Sequence, residues 1–206
     1  MLFKQYFIFY WVKILLIKVT ISLLFFPPAL NLLMGALVEN NLSYRFFSGG
    51  LFLFCLEQCR MAIVDLNNYF IATQDYKNKH ISFYFFVLCI TIALEIIGFY
   101  WMYYYINIGA TIILLSQLWF NSLAKIKISI VNQEVIIYPW TINKRIGELL
   151  GALLGIILII LWTLNIYPLT MGFLMLSMMI IFTTIKYAIP TLKKTLKKLS
   201  LSSSNK

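Results

Sequence analysis

The stretch "LFLFCLEQCRMAIVDLNNYF", residues 51–70, holds Glu57, Arg60 and Asp65 among apolar residues, with Cys55 and Cys59 on either side of the first acid. These residue types can pair charges, carry protons or bind soft metals. Glu57 and Arg60 stand at i, i+3, close enough to pair on one helix face. Asn67 and Asn68 extend roughly the same face. With a span starting at residue 46, Glu57 lies ~16 Å into the membrane by helical rise. That depth is near the centre of a ~30 Å hydrocarbon core. An unpaired charge there costs at least ~2.5–3.5 kcal/mol on insertion scales. Arg60 sits one turn further on and can snorkel toward the basic side. A working site and a structural ion pair both fit.

Glu95 is the second deep acid. It follows fourteen uncharged residues and sits ~22 Å from the inner face by helical rise. Such acids serve proton relays, which makes Glu95 a candidate proton carrier. A lone glutamate can equally sit protonated or hydrogen-bonded to a neighbouring helix.

Metal chemistry has thinner support. Cys55 and Cys59 are i, i+4, as are Met171 and Met175, with Met178 one turn on. Thiolates and thioethers favour Cu(I), but Met fills cores and Cys is commonly buried. Neither a metal nor another cofactor is expected. The single histidine, His80, excludes bis-His haem held within the chain. The sequence has no HExxH and no P-loop. "FFSGGLF" contains Ser48 without the GxSxG elbow. These absences lean against an enzyme and leave a mixed carboxylate site as the open alternative.

These residues sit in a chain of 206 residues that is 62% hydrophobic and 12% charged. Its mean hydropathy is +0.87. Residues 19–38 and 96–124 carry no charge at all, and a helix crosses a bilayer with ~20 apolar residues. Spanning segments in lipid must satisfy their own backbone, which favours helices over short alternating strands. The expectation is an all-α polytopic membrane protein with six transmembrane helices, at about 19–38, 46–64, 81–101, 106–124, 146–165 and 166–189. Residues 1–18, with Lys4, Lys13 and Lys18, read as a basic aromatic interfacial segment. Residues 190–206 read as a basic amphipathic tail.

The net charge of +10 supports this topology. Lys and Arg cluster in 1–18, 65–80, 125–145 and 186–206, all on one side of a six-span layout. Arg45 is the one basic residue opposite. The positive-inside rule then puts both termini in the cytoplasm or its organellar equivalent. Trp11, Trp119 and Trp140 fall at the inner interface, and Trp101 and Trp162 at the outer one, as interfacial aromatics should. Charges scattered among spans argue against nucleic acid as a partner. Ile, Lys, Asn, Phe and Tyr abound while Arg and Ala are scarce, as in an AT-rich genome, which sets an organellar membrane (plastid, thylakoid or similar) beside the cell inner (plasma) membrane as the location.

Four further features concern shape or surface. "KIKISIVNQEVIIYPW" alternates with period two, so the inner loop 125–145 is either a small β-hairpin or an amphipathic stretch on the membrane. Pro27 and Pro28 remove two N–H donors and predict a helix break or kink in the first span. Gly147, Gly151 and Gly155 form a small-residue stripe for helix packing. Lys193, Lys194, Lys197 and Lys198 alternate with leucines and predict contact with anionic lipid at the inner face.

Three functions follow. The first is a non-catalytic accessory, assembly or scaffold subunit of a larger membrane complex, with other membrane subunits as partners. The second is a small solute, ion or proton transporter or channel component using Glu57, Arg60 and Glu95. The third and weakest is a membrane-embedded enzyme on a lipophilic substrate.

Overall fold

The computed structural model describes residues 2–75, 79–131 and 134–188. Its helices are α1 (Leu2–Val38), α2 (Leu42–Asp75), α3 (Lys79–Trp101), α4 (Ile106–Leu123), α5 (Ile146–Thr163) and α6 (Pro168–Thr183). Strands β1 (Ile126–Val131) and β2 (Glu134–Pro139) lie between α4 and α5. Six helical segments are long and apolar enough to cross a membrane, the last being α6 together with the turn after it, Pro168–Ala188, so the chain is a multi-pass membrane protein. The basic tail, including Lys193, Lys194, Lys197 and Lys198, lies outside the described residues.

α1 is one long helix, and two places in it bear on the sequence reading. No helix end marks residue 18, and Pro27-Pro28 does not break the helix, which runs unbroken from Leu2 to Val38. The packing explains the second point. Ile21, Phe25, Ala29 and Leu32 are all buried, at the i, i+4, i+8, i+11 spacing of one helix face. That stripe passes across the prolines, and Phe25 meets Phe99 of α3 edge-on at 5.6 Å. Neighbouring helices thus hold a turn that has lost two backbone donors.

α2 is the central helix, packed against α1, α6 and α3. It begins where Asn41 Oδ1 accepts the amides of Ser43 at 2.9 Å and Tyr44 at 3.3 Å, the N-cap role that suits Asn. Arg45 Nε donates to the carbonyl of Ala36 in the last turn of α1 at 3.1 Å. One arginine so satisfies an orphan carbonyl of the preceding helix. α2 continues well past residue 64, the end of the apolar stretch, and ends at Asp75.

Two helix contacts close at glycines. Gly98 of α3 and Gly109 of α4 lie so near that a Cβ on Gly98 would stand 2.9 Å from the Gly109 carbonyl oxygen. A Cβ on Gly109 would collide with the Gly98 carbonyl in turn. On α6, a Cβ on Gly172 would stand 2.6 Å from the carbonyl of Ser43. The predicted stripe behaves otherwise. Gly155 faces Leu114, while nothing lies within 4 Å of a Cβ on Gly147 or Gly151.

β1 and β2 pair antiparallel, from Ile126 opposite Pro139 to Val131 opposite Glu134. The pair does not stand alone, as a two-stranded sheet needs support. Ile128 is buried, and its carbonyl accepts Asn68 Nδ2 of α2 at 3.2 Å. Beyond β2, buried Arg145 donates to the carbonyl of Asn121 in the last turn of α4 and stacks over Trp140 at 5.0 Å. Burial pushes the Arg145 guanidinium below its ordinary pKa. Pro168 opens α6, where its missing N–H costs nothing. A π-helical turn, Thr184–Ala188, follows α6.

Candidate functional site

Two polar centres lie inside the bundle, and α2 supplies both from adjacent residues. Successive side chains on an α-helix project about 100° apart. Glu57 therefore turns to α6, and Gln58 turns to α3 and α4.

At the first centre Arg60 grips Glu57 with two bonds, Nε to Oε2 at 3.1 Å and Nη2 to Oε1 at 2.8 Å. Lys186 Nζ reaches Oε1 at 2.5 Å, and the Tyr187 hydroxyl donates to Oε2. The carboxylate so accepts four bonds from three residues, and bidentate charged bonds of this kind are the stronger class. Lys186 and Tyr187 are consecutive, and the π-helical turn that carries them brings both to one carboxylate. Single-turn π segments recur at such special positions. Arg60 also lies 5.4 Å from the Tyr187 ring centroid, and Lys186 lies 5.1 Å from that of Phe182. Asp65, two turns along α2, is within electrostatic reach of Lys127, Arg60 and Lys186.

The second centre joins three helices. Glu95 of α3 is 3% exposed. Gln117 Nε2 of α4 donates to Glu95 Oε1 at 2.5 Å and to Gln58 Oε1 of α2 at 3.1 Å. One turn further, Asn121 Nδ2 donates to the carbonyl of Gln117 at 2.9 Å. Among the described residues, Asn121 Oδ1 is buried without a hydrogen-bond partner. A line of amides so runs from Glu95 toward the end of α4 that Arg145 closes.

Of the residues singled out by sequence, the structure brings Glu57 and Arg60 together and keeps Glu95 in a separate cluster. Cys55 is buried, with Sγ 3.9 Å from the Phe25 carbonyl, while Cys59 is half-buried and Cys89 exposed. Pro27, Pro28 and Asn31 line a cleft of about 540 Å3 with Phe99, Tyr100 and Trp101. Among the described residues, no group of three or more His, Cys, Asp or Glu side chains is placed to hold a metal. Sequence reasoning missed Lys186, Tyr187, Gln58 and Gln117. The signal for Lys186 was its place in the last turn of an apolar span. The signal for the two glutamines was a primary amide inside a span, where it must find a partner.

No protein-family model matches the chain, and no curated protein or solved structure is similar enough to it to count as a match.

Proposed function

We propose that the chain is a non-catalytic subunit, with an assembly or scaffold role, of a larger membrane complex. The observation that carries this reading is the glycine stripe on α5. Gly155 is used inside the chain, but Gly147 and Gly151 on the same stripe have open space before them. A smaller share of α5 and α6 is buried than of α2, α3 and α4. Small residues four apart let a second helix come close in lipid, and that face has room for one. The saturation of Glu57 by its own chain fits a structural role.

Extraction in a gentle detergent tests the reading. The particle should be much heavier than the 24.1 kDa chain with its detergent, and Gly151→Ile should release the chain from it. A clean monomer from native membranes would sink the proposal.

A second reading, ion or proton handling, has its own support in the Glu95–Gln117–Gln58 cluster. Buried intramembrane acids mark such pathways. In proteoliposomes Glu95→Gln should then abolish a proton or cation flux, and unchanged flux would remove this reading.

A further inference from the structure

Glu57 faces two cations, and the three groups are unequally covered. The Glu57 side chain is 6% exposed, against 40% for Arg60 and 32% for Lys186. The anion is therefore sealed inside, and the cations present their outer sides. Two cations on one carboxylate leave one positive charge uncompensated within the trio.

The depth of this charge matters. From Pro168 to Lys186 the helix rises about 27 Å, close to the thickness of the ~30 Å hydrocarbon core. Lys186 so stands close to the headgroups on the side of the β1–β2 sheet, and Glu57, about 22 Å along α2 from Leu42, lies toward that side too rather than at the centre that a start at residue 46 gives. The surface beside it is apolar, with Phe182 at 43% and Ile185 at 58% exposure. A partly exposed cation pair at headgroup depth, next to an acyl-compatible surface, suits a phosphate diester that carries its own chains.

We propose that Arg60 and Lys186 bind the phosphate of an anionic phospholipid in the leaflet on the side of the β1–β2 sheet. Glu57 holds the two cations in position from within. With Nε and Nη2 of Arg60 turned to Glu57, the outward Nη1 donates to a phosphate oxygen, and the Lys186 ammonium adds a point charge. A lipid such as phosphatidylglycerol supplies the one negative charge that is lacking, while zwitterionic phosphatidylcholine supplies none. The proposal is independent of whether the chain has protein partners.

Native mass spectrometry of the full chain, with phosphatidylglycerol and phosphatidylcholine offered together, tests it. The wild-type chain should retain phosphatidylglycerol preferentially. Lys186→Met should reduce that preference about fivefold, the worth of one basic residue at an anionic surface. Lys186→Arg should keep it within about twofold on the same scale. An unchanged preference in Lys186→Met would assign the lipid to the tail lysines and overturn the proposal. A loss in Lys186→Arg equal to that in Lys186→Met would overturn it too. If Lys186→Met does not fold, replacement of Lys193, Lys194, Lys197 and Lys198 by glutamine decides, because it leaves the trio intact. The preference should survive that replacement, and its loss would assign the lipid to the tail and overturn the proposal. Displacement of the lipid by inorganic phosphate would reassign the site to free phosphate and also overturn the proposal.

Discussion

A carboxylate inside a membrane needs a partner, a proton or water, and the two buried glutamates differ in what surrounds them. Glu57 has two cations and a phenol, so its replacement leaves like charges facing each other. Glu57→Gln should cost on the order of 1–3 kcal/mol, the range for lost bonds to charged groups. The 3–5 kcal/mol of a fully buried pair is too large here, because Arg60 and Lys186 are partly exposed. Lys186→Met should cost less than Glu57→Gln, since Arg60 still holds the carboxylate. Denaturant unfolding in detergent measures both. Glu95 has amides rather than cations. Glu95→Leu strands the amide of Gln117 and should lose about 1–3 kcal/mol, whereas Glu95→Gln keeps a partner and should lose clearly less in the same assay. Glu57 and Glu95 were visible in the sequence because a lone acid in an apolar run is conspicuous. Lys186 was not, because a lysine at the end of a span looks like the exit from the membrane. Only the path of α6 across α2 shows that it turns inward.

At the scale of elements, hydropathy reveals six long apolar helices, since apolar length and the need to satisfy the backbone in lipid determine them almost alone. It says less about where α2 stops, because α2 carries polar residues outward beyond the apolar core, to Asp75, without a helix-stopping signal. It also failed to rank the glycines. Gly147, Gly151 and Gly155 attract notice by their spacing, yet Gly98 and Gly109 make the tighter contact. Their signal is subtler, one glycine on each side of the short turn that joins α3 to α4. Gly98→Ala or Gly109→Ala should destabilise the chain by about 1–3 kcal/mol through overpacking, because the obstacle is backbone. Gly151→Ala meets nothing and should fall within about 0.5 kcal/mol of wild type in the isolated chain. Unfolding curves of the three variants check the contrast. A Gly151→Ala change large in native membranes and small in the purified chain would locate a partner helix on α5.

For the whole molecule, the bond between Lys186 and Glu57 has a mechanical consequence. It ties the far end of one span to the interior of another, so α6 is held at a fixed height against α2. Sliding along its axis would break the bond, and the tight turn before Pro168 leaves little slack at the other end. There Asn165 and Tyr167 both take positive φ, 59° and 45°, an uncommon region for a tyrosine that marks a tight turn. A span fixed at both ends cannot adjust its length to its surroundings. The bilayer must then thin, thicken or tilt the bundle, at a fraction of a kcal/mol for each ångström of mismatch. Stability measured across phosphatidylcholines of increasing chain length should pass through a maximum, and Lys186→Met should broaden it. In that sense the ion pair is a gauge, and the quantity it registers is the thickness of the membrane around it.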